Sequence, residues 1–148
     1  MKDLASPRSL QDYPKHTSAQ IRYFDLDRQG HVNNSVFATF SEIARVDLFY
    51  DPENPLAPEG TSFVVARLLI DFHEELFWPG DVEIGTGVLR IGRSSFTLLQ
   101  GMFSNDRLVA TAEAVIVMVD GHTRRSTPLP PQTRDILQGL QLADAARE

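Results

Sequence analysis

The spacing of apolar residues changes along the chain and predicts a strand, then a helix, then more strands. Apolar and polar residues alternate over "AQIRYFD" (19–25), which indicates a short β-strand. From Asn34 the apolar residues follow helical spacing through "NSVFATFSEIARVDL", which predicts one long helix. Val46, Phe49 and Tyr50 lie away from the main apolar stripe, so we expect this helix to be buried on most sides.

Four more segments with strand-like patterns follow the helix, at 63–76, 82–91, 95–103 and 108–120. The short connections "WPGD", "GRSS" and "SNDR" separate them, and connections this short join antiparallel neighbours. We therefore predict an α+β protein in which an antiparallel meander of four strands, with the first strand, curves around the helix. Gly85 and Gly87 indicate a bend or a close approach. One helix covers one face of such a sheet, so we expect a second copy to hide part of the other.

Length and composition narrow the function classes. The chain has 148 residues, which fits one domain, and we expect a polar lead-in over 1–17, the folded domain over 18–130 and a C-terminal surface helix and tail over 131–148. A net charge of -6 argues against a nucleic-acid partner. The absence of cysteine excludes disulfides, zinc–thiolate sites and thiol nucleophiles. No segment resembles a signal peptide or a membrane span, so we expect a cytoplasmic protein without a membrane partner.

Polar residues gather just before the predicted helix, in "DLDRQGHVNN". Asn33 and Asn34 are both candidates for the N-cap, and Gly30 permits a tight turn. A helix start presents unpaired N–H groups and a partial positive charge, which can stabilise a carbonyl oxygen as it becomes negative. A nearby carboxylate would complete a hydrolytic site, as a nucleophile or as the base for a water molecule. Asp25 and Asp27 are both available for this role.

The same stretch belongs to a longer pattern. Followed in order by "FSEIAR", "WPGDVEI", "LRIGRSSF" and "LVATAEAVIVMVD", it resembles the hotdog-fold acyl-CoA thioesterases of the 4-hydroxybenzoyl-CoA thioesterase type, over nearly the whole chain. The resemblance implies the hotdog fold, one long central helix wrapped by a curved antiparallel β-sheet. It also implies hydrolysis of an acyl-CoA to a free acid and coenzyme A by a homodimer or homotetramer. The founding branch has a proline where Arg28 stands, so its aromatic substrate is not carried over.

The resemblance also implies roles for single residues. Asp27 matches the catalytic carboxylate, and the region of Asn34 would supply the backbone N–H that polarises the thioester carbonyl. Arg93 best matches a basic contact to the nucleotide of coenzyme A, and Arg90 is the weaker candidate. Independently of the resemblance, His31 directly follows Gly30 and is a further catalytic candidate, which either hydrogen-bonds to substrate or to Asp27, or fixes the loop. The remaining candidates for substrate binding are Gly30, Asn33, Ser94 and Ser95.

Two other functions stay open from the sequence. A hydratase or dehydratase acting on acyl thioesters would need an acid/base pair, which His31 and Glu42 could imitate. Glu42 could equally be structural, bonded to the preceding strand or to Arg45. A non-catalytic acyl-CoA binder is the second alternative. The acyl chain and the carrier, coenzyme A or acyl carrier protein, are also open.

A metal site is a further possibility at the end of the second predicted strand. The candidate ligands there are His73, Glu74 and Glu75. On a strand they would alternate between faces, and no further ligand follows at a recognisable spacing. We therefore predict neither a metal nor another cofactor.

Overall fold

A five-stranded antiparallel sheet curves around one long helix in the computed structural model, which describes residues 9–143. The elements are β1 (Lys15–Gln20), α1 (Asn34–Phe49), β2 (Thr61–Phe72), β3 (Asp81–Ile91), β4 (Ser95–Ser104), β5 (Arg107–Asp120) and α2 (Pro131–Gln138). The strands lie in the order β1-β3-β4-β5-β2, and all neighbours are antiparallel. The predicted α+β architecture is confirmed. Within residues 9–143, no helix has the length and apolar character needed to cross a membrane.

The prediction of a meander of four strands is wrong. Only β3, β4 and β5 form a meander, because β2 pairs with β5 at one edge of the sheet and β1 pairs with β3 at the other. The connection 73–80 therefore crosses one end of the sheet instead of turning between neighbours. It passes the start of α1, where the Val32 amide donates to the carbonyl of Leu76 (2.7 Å), and the Leu76 side chain is buried in the core. This crossing brings residues 73–77 beside the loop that precedes α1.

Helix α1 begins where the sequence predicted. The Asn33 side chain is the N-cap and accepts a hydrogen bond from the Ser35 amide at 2.9 Å. One face of the helix packs into the sheet, but the expected burial on most sides is not found in this single copy. Ile43, Val46 and Tyr50 are 39%, 46% and 59% exposed. One copy therefore leaves an apolar stripe of α1 uncovered.

The outer face of the sheet is covered in part by the two ends of the described chain. Tyr13 and Leu142 are buried there in a cluster with Leu89, Leu99 and Phe103. The glycines of β3 make room for them, as the predicted close approach requires. A Cβ at Gly85 would lie 2.5 Å from Cγ of Tyr13, and one at Gly87 would overlap the side chain of Leu142. This part of the face is thus hidden by the chain itself, where we had expected a second copy.

The first elements differ from the sequence pattern. Strand β1 starts at Lys15, inside the range expected to be a lead-in, and only 19–20 of the predicted strand 19–25 belong to it. Tyr23–Asp25 form a 3-10 turn instead, because the Asp25 carboxylate accepts the amide of Arg22 and closes it. At the other end, α2 agrees with the predicted C-terminal helix, with Thr133 and Leu137 buried on its inner side. Residues 1–8 and 144–148 of the predicted lead-in and tail lie outside the described part.

Candidate active site

A cavity of about 470 Å³ lies at the N-terminal end of α1. One wall is the loop before α1 and its first residue, which contribute Asp27, Gln29, His31, Val32 and Asn34. The other wall is the end of β2 and the crossing connection, which contribute Phe72, His73, Glu74, Glu75 and Leu76. Phe37 of α1 completes the lining. The cavity therefore combines an apolar part with several ionisable side chains.

Asp27 is held at the cavity by a tight turn. Its Oδ1 accepts the amide of Gln29 at 2.8 Å, and its own amide donates to the carbonyl of His31 at 2.8 Å. Gly30 closes this turn with φ +89°, a conformation that favours glycine, and its amide donates to the carbonyl of Asp27. The turn brings the side chains of Asp27 and His31 to the same wall. The prediction that Gly30 permits a tight turn here is confirmed.

The first turn of α1 leaves one amide available. The amide of Asn33 donates to the carbonyl of Asp25, that of Ser35 to the Asn33 side chain, and that of Val36 to the carbonyl of Asn33. Within residues 9–143 the amide of Asn34 has no acceptor, and Asn34 lines the cavity. An unpaired N–H at the positive end of a helix can donate to an oxygen that gains negative charge.

The two aspartates of the loop have separate environments. Asp25 is 2% exposed and does not line this cavity, whereas the Asp27 side chain is 26% exposed and does. Burial is the largest influence on Asp25 and favours its neutral form. The hydrogen bonds and charge of Arg22 together outweigh burial, so the pKa of Asp25 lies below its ordinary value. Asp25 therefore fixes the turn, and Asp27 is the carboxylate that a ligand would meet.

His31 lies between two carboxylates. Its Nδ1 is 3.5 Å from Oδ2 of Asp27, and its Nε2 is 3.5 Å from Oε1 of Glu75. The ring of Phe77 meets the imidazole edge to face, with centroids 6.0 Å apart. The sequence predicted the neighbour Asp27 but not the neighbours Glu75 and Phe77, because residues 75–77 reach His31 only through the crossing connection.

The candidate metal ligands of the cavity wall point to separate partners. His73 Nε2 lies 3.0 Å from Oγ1 of Thr111, and Glu74 pairs with Arg107 at 3.1 Å, while Glu75 approaches His31. β2 ends at Phe72, so strand alternation does not apply to these residues. Across residues 9–143, no three His, Asp or Glu side chains are arranged to hold a metal ion.

The other candidate residues lie away from this cavity. Arg93 is exposed in the β3–β4 turn, where its carbonyl accepts the amide of Leu129, and Arg90 lies 4.0 Å from Glu113 on the sheet. Ser94 follows Arg93 in the same turn and Ser95 is the first residue of β4. None of these four residues lines the cavity.

Strand β5 connects the cavity wall with the β3–β4 turn, so its length separates the two regions. The cavity wall joins β5 at Val109, which accepts the amide of His73, and Ser95 pairs with Val117. Eight residues of strand correspond to about 25 Å. One copy of the chain therefore does not bring Arg93 to Asp27, and the predicted nucleotide contact stays a prediction.

Glu42 does not line the cavity either. It is exposed on α1, and its charge favours the protonated form of Arg45. Burial of that guanidinium is the larger influence and lowers its pKa. Arg45 donates to Oγ of Ser41, which in turn donates to Oε1 of Gln100. The acid/base pair of His31 and Glu42 that a hydratase would need is thus not assembled in this copy.

Several solved structures resemble this chain over most of its length. A thioesterase from Thermus thermophilus, solved in complex with coenzyme A and Zn, is 29% identical, with a TM-score of 0.77 over 88% of this chain and 96% of that one. A predicted thioesterase from Bacillus stearothermophilus is 26% identical, with a TM-score of 0.77 over 85% and 95%. A Pseudomonas aeruginosa protein at 24% identity shares the fold, with a TM-score of 0.82 over 91% and 96%. No curated protein sequence matches the chain.

The family follows from a match over most of the sequence. The family model described as the Thioesterase-like superfamily matches residues 21–137, which include α1, all of β2 to β5 and the candidate site. The architecture of a central helix in a curved antiparallel sheet confirms the predicted hotdog fold. The chain belongs to the Thioesterase-like superfamily.

Proposed function

We propose that this protein hydrolyses the thioester of an acyl-CoA to a free acid and coenzyme A. The observation that carries the proposal is the pairing, in one cavity, of the Asp27 carboxylate with the free amide of Asn34. The names of the related thioesterases support it, and so does the coenzyme A in the Thermus thermophilus structure. No serine nucleophile is needed, because a thiol with a pKa of about 8.5 leaves with little acid assistance.

The amide of Asn34 and the carboxylate of Asp27 would have different roles in the reaction. The thioester carbonyl oxygen would accept the amide of Asn34, which stabilises the negative charge that develops on it. As a base, Asp27 would take a proton from water while the water oxygen bonds to the carbonyl carbon, and the C–S bond would break to release the thiolate. As a nucleophile, Asp27 would displace the thiolate itself, and water would then hydrolyse the acyl–aspartate anhydride. Both routes end in the acid and the thiol.

We also propose that the active form is a dimer, alone or within a tetramer. β2 is a twelve-residue edge strand, and one of its sides has no strand partner among residues 9–143. A long, apolar edge of this kind pairs readily with a second chain. The apolar stripe formed by Ile43 and Val46 of α1 and by Tyr50 at its C-terminal end is uncovered as well. A second copy would also allow Arg93 of one chain to serve the Asp27 cavity of the other.

The decisive experiment is the Asp27→Asn variant, assayed by thiol release from a panel of acyl-CoA substrates. We expect kcat to fall about 100-fold or more, because the variant loses the proton acceptor or nucleophile while its shape is kept. The melting temperature should stay near that of the wild type, since Asp27 makes one backbone hydrogen bond at a partly exposed position. Near-normal turnover in Asp27→Asn would refute the assignment of this residue. Tight acyl-CoA binding by the wild type without any thiol release would favour the non-catalytic binder.

A further inference from the structure

We propose that Glu75 is a positioning residue for this hydrolysis: it holds the imidazole of His31, which in turn holds the carboxylate of Asp27. The inference rests on the proposed function for its consequence in catalysis. The contact itself is independent of that function, because it is a property of the unliganded protein. Glu75 does not need to touch the substrate to fulfil this role.

The His31 ring is confined on three sides. Asp27 lies 3.5 Å from Nδ1, Glu75 lies 3.5 Å from Nε2, and the Phe77 ring packs at a right angle to the imidazole with an interplanar angle of 87°. Two backbone hydrogen bonds join the segments that carry these groups, from Val32 to Leu76 (2.7 Å) and from Asp27 to His31 (2.8 Å). These bonds fix the main chain at residue 75 relative to that at residue 27, and the Glu75 side chain reaches His31 from there.

The position of His31 matters because of how Asp27 is held. Oδ1 of Asp27 is fixed by the amide of Gln29, whereas Oδ2 lies 3.5 Å from Nδ1 of His31. An imidazole can hydrogen-bond through both of its ring nitrogens. Glu75 lies at the ring nitrogen opposite Asp27, 3.5 Å from Nε2, and therefore restrains rotation of the imidazole. A restrained imidazole beside Oδ2 in turn limits the rotation of the Asp27 carboxylate.

Other charged groups in the cavity do not compete for this ring. Glu74 is adjacent in sequence but pairs with Arg107 at 3.1 Å, and His73 approaches Thr111. Glu74 therefore provides a matched control, since it has the same charge, lines the same cavity and lies one residue away from Glu75.

The kinetic experiment compares Glu75→Gln with Glu74→Gln. We expect Glu75→Gln to lower kcat roughly three- to tenfold and to leave KM within about twofold. The effect is moderate because the Glu75 side chain is 63% exposed and screened by water. Glu74→Gln removes a charge from the same cavity wall but no contact with His31, so it should lower kcat less than Glu75→Gln does. Unchanged kcat in Glu75→Gln, or an equal loss in both variants, would overturn the proposal.

A double-mutant cycle tests whether Glu75 acts through His31. In a His31→Ala background, Glu75→Gln should cause no further loss of kcat. Independent, multiplicative losses would overturn the proposal, because they would show that Glu75 acts on the reaction by another route.

The contact between Glu75 and His31 can also be tested without substrate, and therefore even if the protein hydrolyses no thioester. In ¹⁵N spectra of histidine-labelled protein, with His31 signals identified by their loss in His31→Ala, Glu75→Gln should shift both ring nitrogens of His31. Glu74→Gln should leave them in place. Unshifted His31 signals in Glu75→Gln would refute the contact whatever the activity. Shifted signals in a protein without thioesterase activity would refute the proposed function and leave the contact standing.

Discussion

Asp25 and Asp27 are two residues apart, and their amide variants should have opposite effects. Oδ2 of Asp25 accepts the amide of Arg22 at 2.7 Å, and Oδ1 accepts Nε and Nη2 of Arg22 at 3.0 and 2.7 Å. In Asp25→Asn the new NH₂ group must face one of these donors, whichever way the amide is placed. Asp25→Asn should therefore destabilise the protein, whereas Asp27→Asn should remove activity and preserve stability.

The size of the stability loss in Asp25→Asn follows from the burial of Asp25 and from its hydrogen bonds to Arg22. A backbone hydrogen bond to an ionised acceptor contributes about 1.5–3 kcal/mol, and Asp25 is 2% exposed. The guanidinium bonds add little, because the Arg22 side chain is 70% exposed and water screens its charge. Asparagine avoids burying a charge, which offsets part of the loss. We expect the free energy of unfolding to fall by about 2 kcal/mol, or the melting temperature by about 4–8 °C.

Urea unfolding of wild type, Asp25→Asn and Asp27→Asn at one protein concentration measures this difference, alongside thiol release by the same samples. Asp25→Asn should keep substantial turnover wherever it is folded. A loss of stability below about 0.5 kcal/mol in Asp25→Asn would refute the structural role of this carboxylate. If Asp25→Asn abolished turnover in a fully folded sample while Asp27→Asn did not, the choice of catalytic aspartate would be wrong.

The contribution of the Asp25 carboxylate to stability should decrease at acidic pH. The folded-state pKa of Asp25 is lowered, so its contribution is fully present above the unfolded-state pKa of about 3.9. It is lost as the pH falls through the lower folded-state pKa. The stability gap between wild type and Asp25→Asn should therefore be constant from neutral pH to about pH 5 and shrink below about pH 4. A gap that widened on acidification would contradict this assignment.

Two further predictions concern the partner copy and the outer face of the sheet. If Arg93 of one chain serves the Asp27 cavity of the other, a mixture of the Asp27→Asn and Arg93→Ala variants should contain active sites with wild-type KM, which neither variant has alone. The absence of such sites, or a monomer by light scattering, would contradict the shared site. Gly85→Ala should cost about 1–3 kcal/mol of stability through its clash with Tyr13, and much less in a Tyr13→Ala background. Equal losses in both backgrounds, measured by urea unfolding, would show that Tyr13 is not the obstacle.

The sequence by itself determined most of the secondary structure. The change from alternating to helical spacing at Asn34 marks the true start of α1, because the capping asparagine and the apolar stripe are local signals. The patterns of β3, β4 and β5 also predicted strands close to the observed ones, since each is flanked by a turn of strong local preference. The predicted site loop, with Asp27 beside the helix start, is found at one cavity wall.

The family resemblance pointed to Asp27, but only the tertiary structure gives the physical reason that separates it from Asp25 and completes the cavity. Asp25 and Asp27 are equivalent by spacing, and the choice depends on a turn that buries one against Arg22 and leaves the other at the cavity. Glu75 reaches His31 because β2 pairs with β5, which forces the connection 73–80 across the end of the sheet. Strand order is decided by contacts between residues far apart in the chain, and these leave no periodic signal in the local sequence. Local preferences therefore specified the elements, and long-range packing decided which side chains meet.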